Sequence, residues 1–259
     1  MHILLTNDDG YHASGIQTLY RSLRSLTEHD ISIVAPEGER SATGHSITLF
    51  HPLFVTEHDL DSHQKGFAVS GTPSDCVKLA VQGGLITKPD LLISGINQGS
   101  NLGTDVFYSG TVSAAMEGVI LGVPSLAVSL ANYQFTDFEP SAVYLAKHLD
   151  YIVKPHKKGL MNINFPGKPQ SKWAGVKVTR LGKAIYDNVF ERRVDPHGRA
   201  YYWQCGNRAE DLEEDTDLRA IQEDFISITP MHSDLTDFKG IEPWKKYFNI
   251  SNSLLDNGV

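Results

Sequence analysis

The strongest constraint on this chain lies in its first fifteen residues, MHILLTNDDGYHASG. Ile3, Leu4 and Leu5 form a short apolar run of the kind that a strand buried on both faces requires. The run stops at Thr6-Asn7-Asp8-Asp9-Gly10, which is turn chemistry. Ile16, Leu19, Tyr20, Leu23 and Leu26 then recur at helical spacing. Strand, loop and helix in that order open an α/β sheet, and in such sheets ligands bind outside the carboxyl ends of the strands. Asp8 and Asp9 belong at that edge. Two adjacent carboxylates there disfavour each other's ionisation. A hard divalent cation relieves the repulsion, and oxygen ligands suit Mg²⁺ or Mn²⁺, with Ca²⁺ as a further occupant.

The alternation continues. Ile31–Ala35 reads as a second strand ended by Pro36, and the polar loop from Glu37 to His45 leaves its carboxyl end. Ser46–Phe50 and Phe67–Ser70 read as strands around a turn-rich stretch. Thr72-Pro73-Ser74-Asp75 is a helix start, with a cap, a proline at the first helical position and an acid at the positive end of the dipole. That helix is expected to run to about Val81, where Gly83-Gly84 stops it. Leu91–Ser94 is the next strand, the stretch from Gly95 to Gly103 a loop, and Ser109-Gly110-Thr111 another helix start. Pro124–Ala131 and Phe138–Leu149 give a further strand and helix.

The expected fold class is therefore α/β, a Rossmann-like, mostly parallel sheet flanked by helices over residues 1–150. A β-rich extension over residues 151–259 completes one domain spanning 1–259. In it, Met161–Phe165, Val176–Val178 and Ile226–Ile228 alternate like strands. Arg199–Gln204 is aromatic-rich and suits a projecting hairpin. Glu210–Asp217 is an acidic run expected to be solvated.

Three loops converge on one sheet edge in this reading. They bring Asp8 and Asp9, then Ser41, then Asn97 and Asn101 with the Ser109-Gly110-Thr111 helix start. Hydroxyl and amide oxygens are acceptable partners for a hard cation beside two carboxylates. A helix N-terminus with free backbone N–H groups is an anion site. Cation and anion sites at one crevice suggest phosphoryl chemistry.

Composition excludes several other classes. Net charge is −8, against a general nucleic-acid surface, so no stable nucleic-acid partner is expected. Cys76 and Cys205 are too far apart for zinc spacing or a disulfide framework. No apolar run approaches the roughly 20 residues needed to span a bilayer, so no membrane partner is expected. The start shows no basic region followed by a cleavage site, and a cytoplasmic location is the expectation.

The blocks Thr6–Gly10 with Ala13–Ile16, Arg40-Ser41, Gly71–Cys76, Ser94–Gly103, Tyr108–Gly118 and Ser227–Pro230 closely resemble the SurE (stationary-phase survival protein) nucleotidase family. The resemblance implies a metal-dependent phosphatase acting on nucleoside monophosphates as a 5′-nucleotidase, with 3′-nucleotidase and exopolyphosphatase activity as extensions. Carried over by position, it implies that Asp8, Asp9, Ser41 and Asn97 hold one divalent cation. Asn97, Asn101, Ser109, Gly110 and Thr111 would line the phosphate site, with Asp8 and Asp9 as the catalytic acids. Ala42 departs from the pattern, since the family often has Gly there. Residues 184–224 match only weakly.

Hydrolysis of a phosphate monoester by water, or through an aspartyl phosphate, are both open by chemistry alone. The rival from another class is a receiver-like signalling module. It needs an acceptor Asp at the end of its central strand, where Leu91–Ile93 is followed by Ser94. A dinucleotide-binding enzyme would want G-x-G-x-x-G after the first strand, and a haloacid-dehalogenase-type phosphatase would want Asp-x-Asp. The tail carries Leu235, Phe238, Ile241, Trp244, Tyr247, Phe248 and Ile250 in a segment too short for its own core. The resemblance implies that this tail is swapped onto a partner subunit in a homodimer, and that the Arg199–Gln204 region extends it to a homotetramer.

Overall fold

The computed structural model describes all residues except 61–64, 155–157, 187–189, 206–207, 211–212 and 256–259, together with the side chains of all other residues except 185–186, 208–210 and 249–255. The strands are β1 (His2–Thr6), β2 (Asp30–Pro36), β3 (Val55–Asp59), β4 (Lys65–Val69), β5 (Leu91–Gln98), β6 (Ser125–Leu130) and β7 (Leu160–Phe165), then β8 (Gly175–Val178), β9 (Ala184–Tyr186), β10 (Phe190–Val194), β11 (Ala200–Gln204), β12 (Arg208–Glu210) and β13 (Phe225–Met231). The helices are α1 (Ser14–Leu26), α2 (Pro73–Val81), α3 (Gly110–Ile120), α4 (Glu139–Val153), α5 (Asp217–Gln222) and α6 (Phe238–Leu255).

Nine strands form one sheet in the order β3-β4-β2-β1-β5-β6-β7-β13-β8. Pairing is parallel except at β3–β4 and β7–β13. Ile3, Leu4 and Leu5 are fully buried because both faces of β1 are covered. Ile3 and Leu5 join Ile16, Leu19 and Leu23 of α1 and Leu145 and Leu149 of α4 on one face. Leu4 joins Val77 of α2 and Ala114 and Ala115 of α3 on the other. The small side chains of α3 let it lie close to the sheet. Gly118 deepens this, since a Cβ there would come within 2.5 Å of Ser125 Oγ. The sheet order reverses at β1, which has β2 on one side and β5 on the other. That switch point is where open α/β sheets bind ligands.

Thr72 caps α2 in a reciprocal capping box with Asp75. Arg199–Gln204 falls in a two-stranded hairpin of β10 and β11. Three expectations are corrected. Ser46–Phe50 is not a strand, because the Thr48 amide and hydroxyl both bind the Asp75 carboxylate, at 2.9 and 2.6 Å, and so leave any ladder. The edge strand is instead Val55–Asp59. β5 runs past Ser94 to Gln98, carrying a register shift between Ser94 and Asn97. The acidic run is not wholly solvated: Asp217 is fully buried and accepts the Gly103 and Gly182 amides at 2.8 and 2.9 Å.

Among the described residues, no helix is long and apolar enough to cross a membrane. Leu235, Phe238, Trp244, Tyr247 and Phe248 of the tail are exposed. The side chain of Ile250 lies outside the described residues.

Candidate active site at the sheet switch point

The turn after β1 is clamped by Asn7. Its amide donates to Gly10 O at 2.8 Å, and its Oδ1 accepts the Gly10 N–H at 3.2 Å. Gly10 has φ +105°, and a Cβ there would sit 3.1 Å from the Gly38 backbone. A side chain at position 10 would therefore be both strained and obstructed. The clamp holds Asp8 and Asp9 on a short, fixed arc. The sequence reading gave Asn7 no task, although an asparagine three residues before a turn glycine is a recognisable signal.

Asp8 is nearly buried and accepts the Thr111 hydroxyl at 2.5 Å. Its backbone carbonyl accepts the Arg40 N–H at 2.7 Å, which ties the Ser41 loop to the acid. Asp9 accepts the Gln98 N–H at 3.2 Å. Burial raises the Asp8 carboxyl above its ordinary value, against hydrogen bonds from Thr111. Burial, then the charge of Asp8, pushes Asp9 up to about 6. No basic side chain among the described residues pairs with either acid.

A cavity of ≈ 810 Å³ opens beside this pair. Asp8, Ser41, Asn97, Asn101 and Ser109 line it. Asp9, Gly110 and Thr111 do not line it. Thr111 is fully buried, and Gly110 lies so close that a Cβ would meet Asp8 Cβ at 2.7 Å. Ser41 is exposed and donates to Glu39 Oε1 at 2.7 Å. Asn97 donates through Nδ2 to Gly99 O at 2.9 Å, which leaves its Oδ1 as the acceptor. Ser109 caps α3 by accepting the Val112 N–H at 3.0 Å. Tyr108, Tyr133, Gln204 and Cys205 also line the cavity. The cavity thus also draws on residues beyond the α/β core, because the end of the β10–β11 hairpin returns to it.

The donor set fits a hard cation. It offers two carboxylates, a hydroxyl and an amide oxygen. Among the described residues no group of three or more His, Cys, Asp or Glu side chains gathers as a metal site, so the hydroxyl and amide oxygens would have to complete the set beside the two acids.

A mostly parallel α/β sheet with an acid pair at its switch point, abutting a helix N-terminus, defines the class of site this fold carries. Comparison with known proteins is more specific. Residues 3–188 match the family model described as Survival protein SurE. The chain is 58% identical over 253 residues to the 5′-nucleotidase SurE of Desulfitobacterium hafniense (strain DSM 10664 / DCB-2), covering 97% of this chain and 99% of that one. It is 50% identical to the 5′-nucleotidase SurE of Pelotomaculum thermopropionicum, covering 98% of each. The crystal structure of the SurE protein from Aquifex aeolicus superposes with a TM-score of 0.80 at 37% identity, covering 95% of this chain and 99% of that one. The chain belongs to the SurE family.

Proposed function

We propose that this protein is a phosphoric monoester hydrolase, a metal-dependent nucleotidase that releases phosphate from nucleoside 5′-monophosphates. The observation that carries the reading is the Asp8–Asp9 pair, which no basic side chain among the described residues pairs with, beside a cavity that Asp8 and Ser109 of the α3 start both line. Family membership and the relatives' names support the same activity.

Asp8, Asp9, Ser41 and Asn97 would hold one Mg²⁺ or Mn²⁺, which supplies Lewis-acid polarisation of a phosphoryl oxygen. The chain's own residues do the rest. Asn7 fixes the acid pair, and Thr111 orients Asp8. Ser109 and Asn101 bound the space that the phosphate fills, next to the positive end of α3. The carboxylate pair takes a proton from the attacking water as its oxygen bonds phosphorus and the ester P–O bond breaks, and the leaving nucleoside oxygen takes up a proton from solvent. Preorganised charge of this kind is the main contribution in phosphoryl transfer. The cavity exceeds a phosphate in volume, which leaves room for a nucleoside. The reading extends to 3′-nucleotides and the ends of short polyphosphates, which present the same terminal phosphoryl group.

The exposed tail supports assembly. α6 presents Trp244, Tyr247 and Phe248 to solvent as one ring cluster, with Trp244 and Tyr247 centroids 5.9 Å apart. A patch of that kind calls for a partner surface, and a homodimer or homotetramer supplies it.

The test is a screen of nucleoside 5′- and 3′-monophosphates with Mg²⁺ or Mn²⁺ after exhaustive chelation. Chelated protein should be inactive, and either cation should restore release of phosphate. Full activity in chelator, with no metal by elemental analysis, would remove the central claim.

A further inference from the structure

Asn101 reaches the cavity from a loop, yet it is held as firmly as a strand residue. Its Nδ2 donates to Ser129 Oγ at 2.8 Å. Its N–H donates to Asn164 Oδ1 at 2.9 Å. Its carbonyl accepts from Asn162 Nδ2 at 2.8 Å and from Asn164 Nδ2 at 3.0 Å. The side chain, the amide and the carbonyl of one residue are thus each fixed from β6 or β7.

The sheet register explains how this is built. Asn162 and Asn164 are two apart on β7 and so share a face. Asn97, Ser129 and Asn164 lie opposite one another across β5, β6 and β7, and Ser227 of β13 continues the row. The row runs beneath the cavity, and Asn162, Asn164, Ser129 and Ser227 are all fully buried. Stability alone does not account for it. Asn162 Oδ1 and Ser227 Oγ have no hydrogen-bond partner among the described residues. A buried polar atom left so costs about 1–3 kcal/mol. An apolar residue at 162 would avoid that cost and fill the same space, but would lose the donor to Asn101.

Resting on the nucleotidase reading above, we propose that Asn162 and Asn164 are positioning residues. They act through Asn101 to fix the phosphate side of the cavity, and neither bonds to Asp8 or Asp9. Asp8 and Asp9 are held by other contacts: the Asn7 clamp, the tie from Arg40 N–H to Asp8 O and the Thr111 hydroxyl.

The experiment compares wild type with Asn162→Leu and Asn162→Ser. Each is measured for melting temperature, Mn²⁺ affinity by electron paramagnetic resonance, turnover of a nucleoside 5′-monophosphate, and competitive inhibition by inorganic phosphate. Asn162→Ser removes the donor to Asn101 with a small polar replacement and serves if Asn162→Leu fails to fold. The expected signature is a phosphate inhibition constant and KM raised about tenfold, the effect of one lost hydrogen bond to the site. Mn²⁺ affinity should stay within about twofold, because the acids are held elsewhere. Unchanged phosphate inhibition in a folded variant would overturn the proposal. So would an equal loss of Mn²⁺ and phosphate affinity, which marks a general structural role. An inactive metal-loaded wild type would instead remove the nucleotidase reading, and this inference with it.

Discussion

Thr111 donates its hydroxyl to Asp8 Oδ1 across 2.5 Å, in the first turn of a helix that begins more than a hundred residues after the acid. The bond joins the end of β1 to the start of α3, so the cation side of the site and the helix dipole are mechanically one piece. Thr111 was read from sequence as a lining residue of the phosphate site. Its full burial makes its contact with Asp8 the first thing a substitution will change.

Thr111→Val keeps the shape and removes the donor. A charged Asp8 would lose a hydrogen bond of about 1.5–3 kcal/mol, and its carboxyl would rise further. Mn²⁺ affinity and turnover should both fall about tenfold or more, with the loss greatest at acid pH. Titration of Mn²⁺ across pH 5.5–8 checks this. Unchanged affinity throughout would show that the hydroxyl does not support the acid.

Gly110→Ala should fail for a steric reason. Alanine favours a helix interior by about 1 kcal/mol over glycine. Here its Cβ would meet Asp8 Cβ at 2.7 Å and Oδ2 at 2.9 Å. The near atom belongs to a short side chain that is already fixed, so Asp8 must move. Turnover should drop at least about tenfold, with melting temperature lowered or unchanged. A variant that is both more stable and fully active would refute the close packing.

Asp9 supplies a pH test in metal-free protein. Its folded-state value is raised from 3.8 to about 6, so the folded state holds the proton more tightly than the unfolded state. Asp9 therefore contributes stability that is full below about pH 3.8 and lost as pH rises through about 6. Asp9→Asn should melt higher than wild type above pH 6 in chelator, and the difference should vanish near pH 4. A cation must displace the same protons. The rise in wild-type melting temperature on adding Mn²⁺ should thus grow from pH 5 to 7.5. Calorimetric scans in chelator and in Mn²⁺ read both trends. A difference between wild type and variant that does not vary with pH would contradict the assignment.

The tail supplies a test of assembly. Truncation after Pro230 keeps most of β13 and removes the exposed aromatic cluster of α6. Light scattering coupled to size-exclusion chromatography should find the full chain oligomeric and the truncated chain monomeric or aggregated. A full-length monomer at micromolar concentration, or a soluble truncated dimer, would sink the swapped-tail reading.

The sequence by itself determined the parts whose signals are local. A three-residue apolar run, an Asn-Asp-Asp-Gly turn and a Ser-Gly-Thr helix start each need only their neighbours to be legible, since capping, turn geometry and strand burial act over a few residues. Those signals located Asp8, Asp9 and Ser109 at one sheet edge and gave the strand-helix alternation. What only the tertiary structure decided are tasks defined by partners far away in the chain. Thr48 leaves a strand because Asp75 accepts its amide. Asp217, in an acidic run that looks solvated, is buried because it receives the Gly103 and Gly182 amides. Asn162 and Asn164 are the polar positions of an alternating strand pattern, yet they are buried and grip Asn101. A polar side chain can face water or pair inside at similar net free energy, because folding exchanges one hydrogen bond for another. Its own residue type therefore leaves the choice open, and the packing of the sheet settles it.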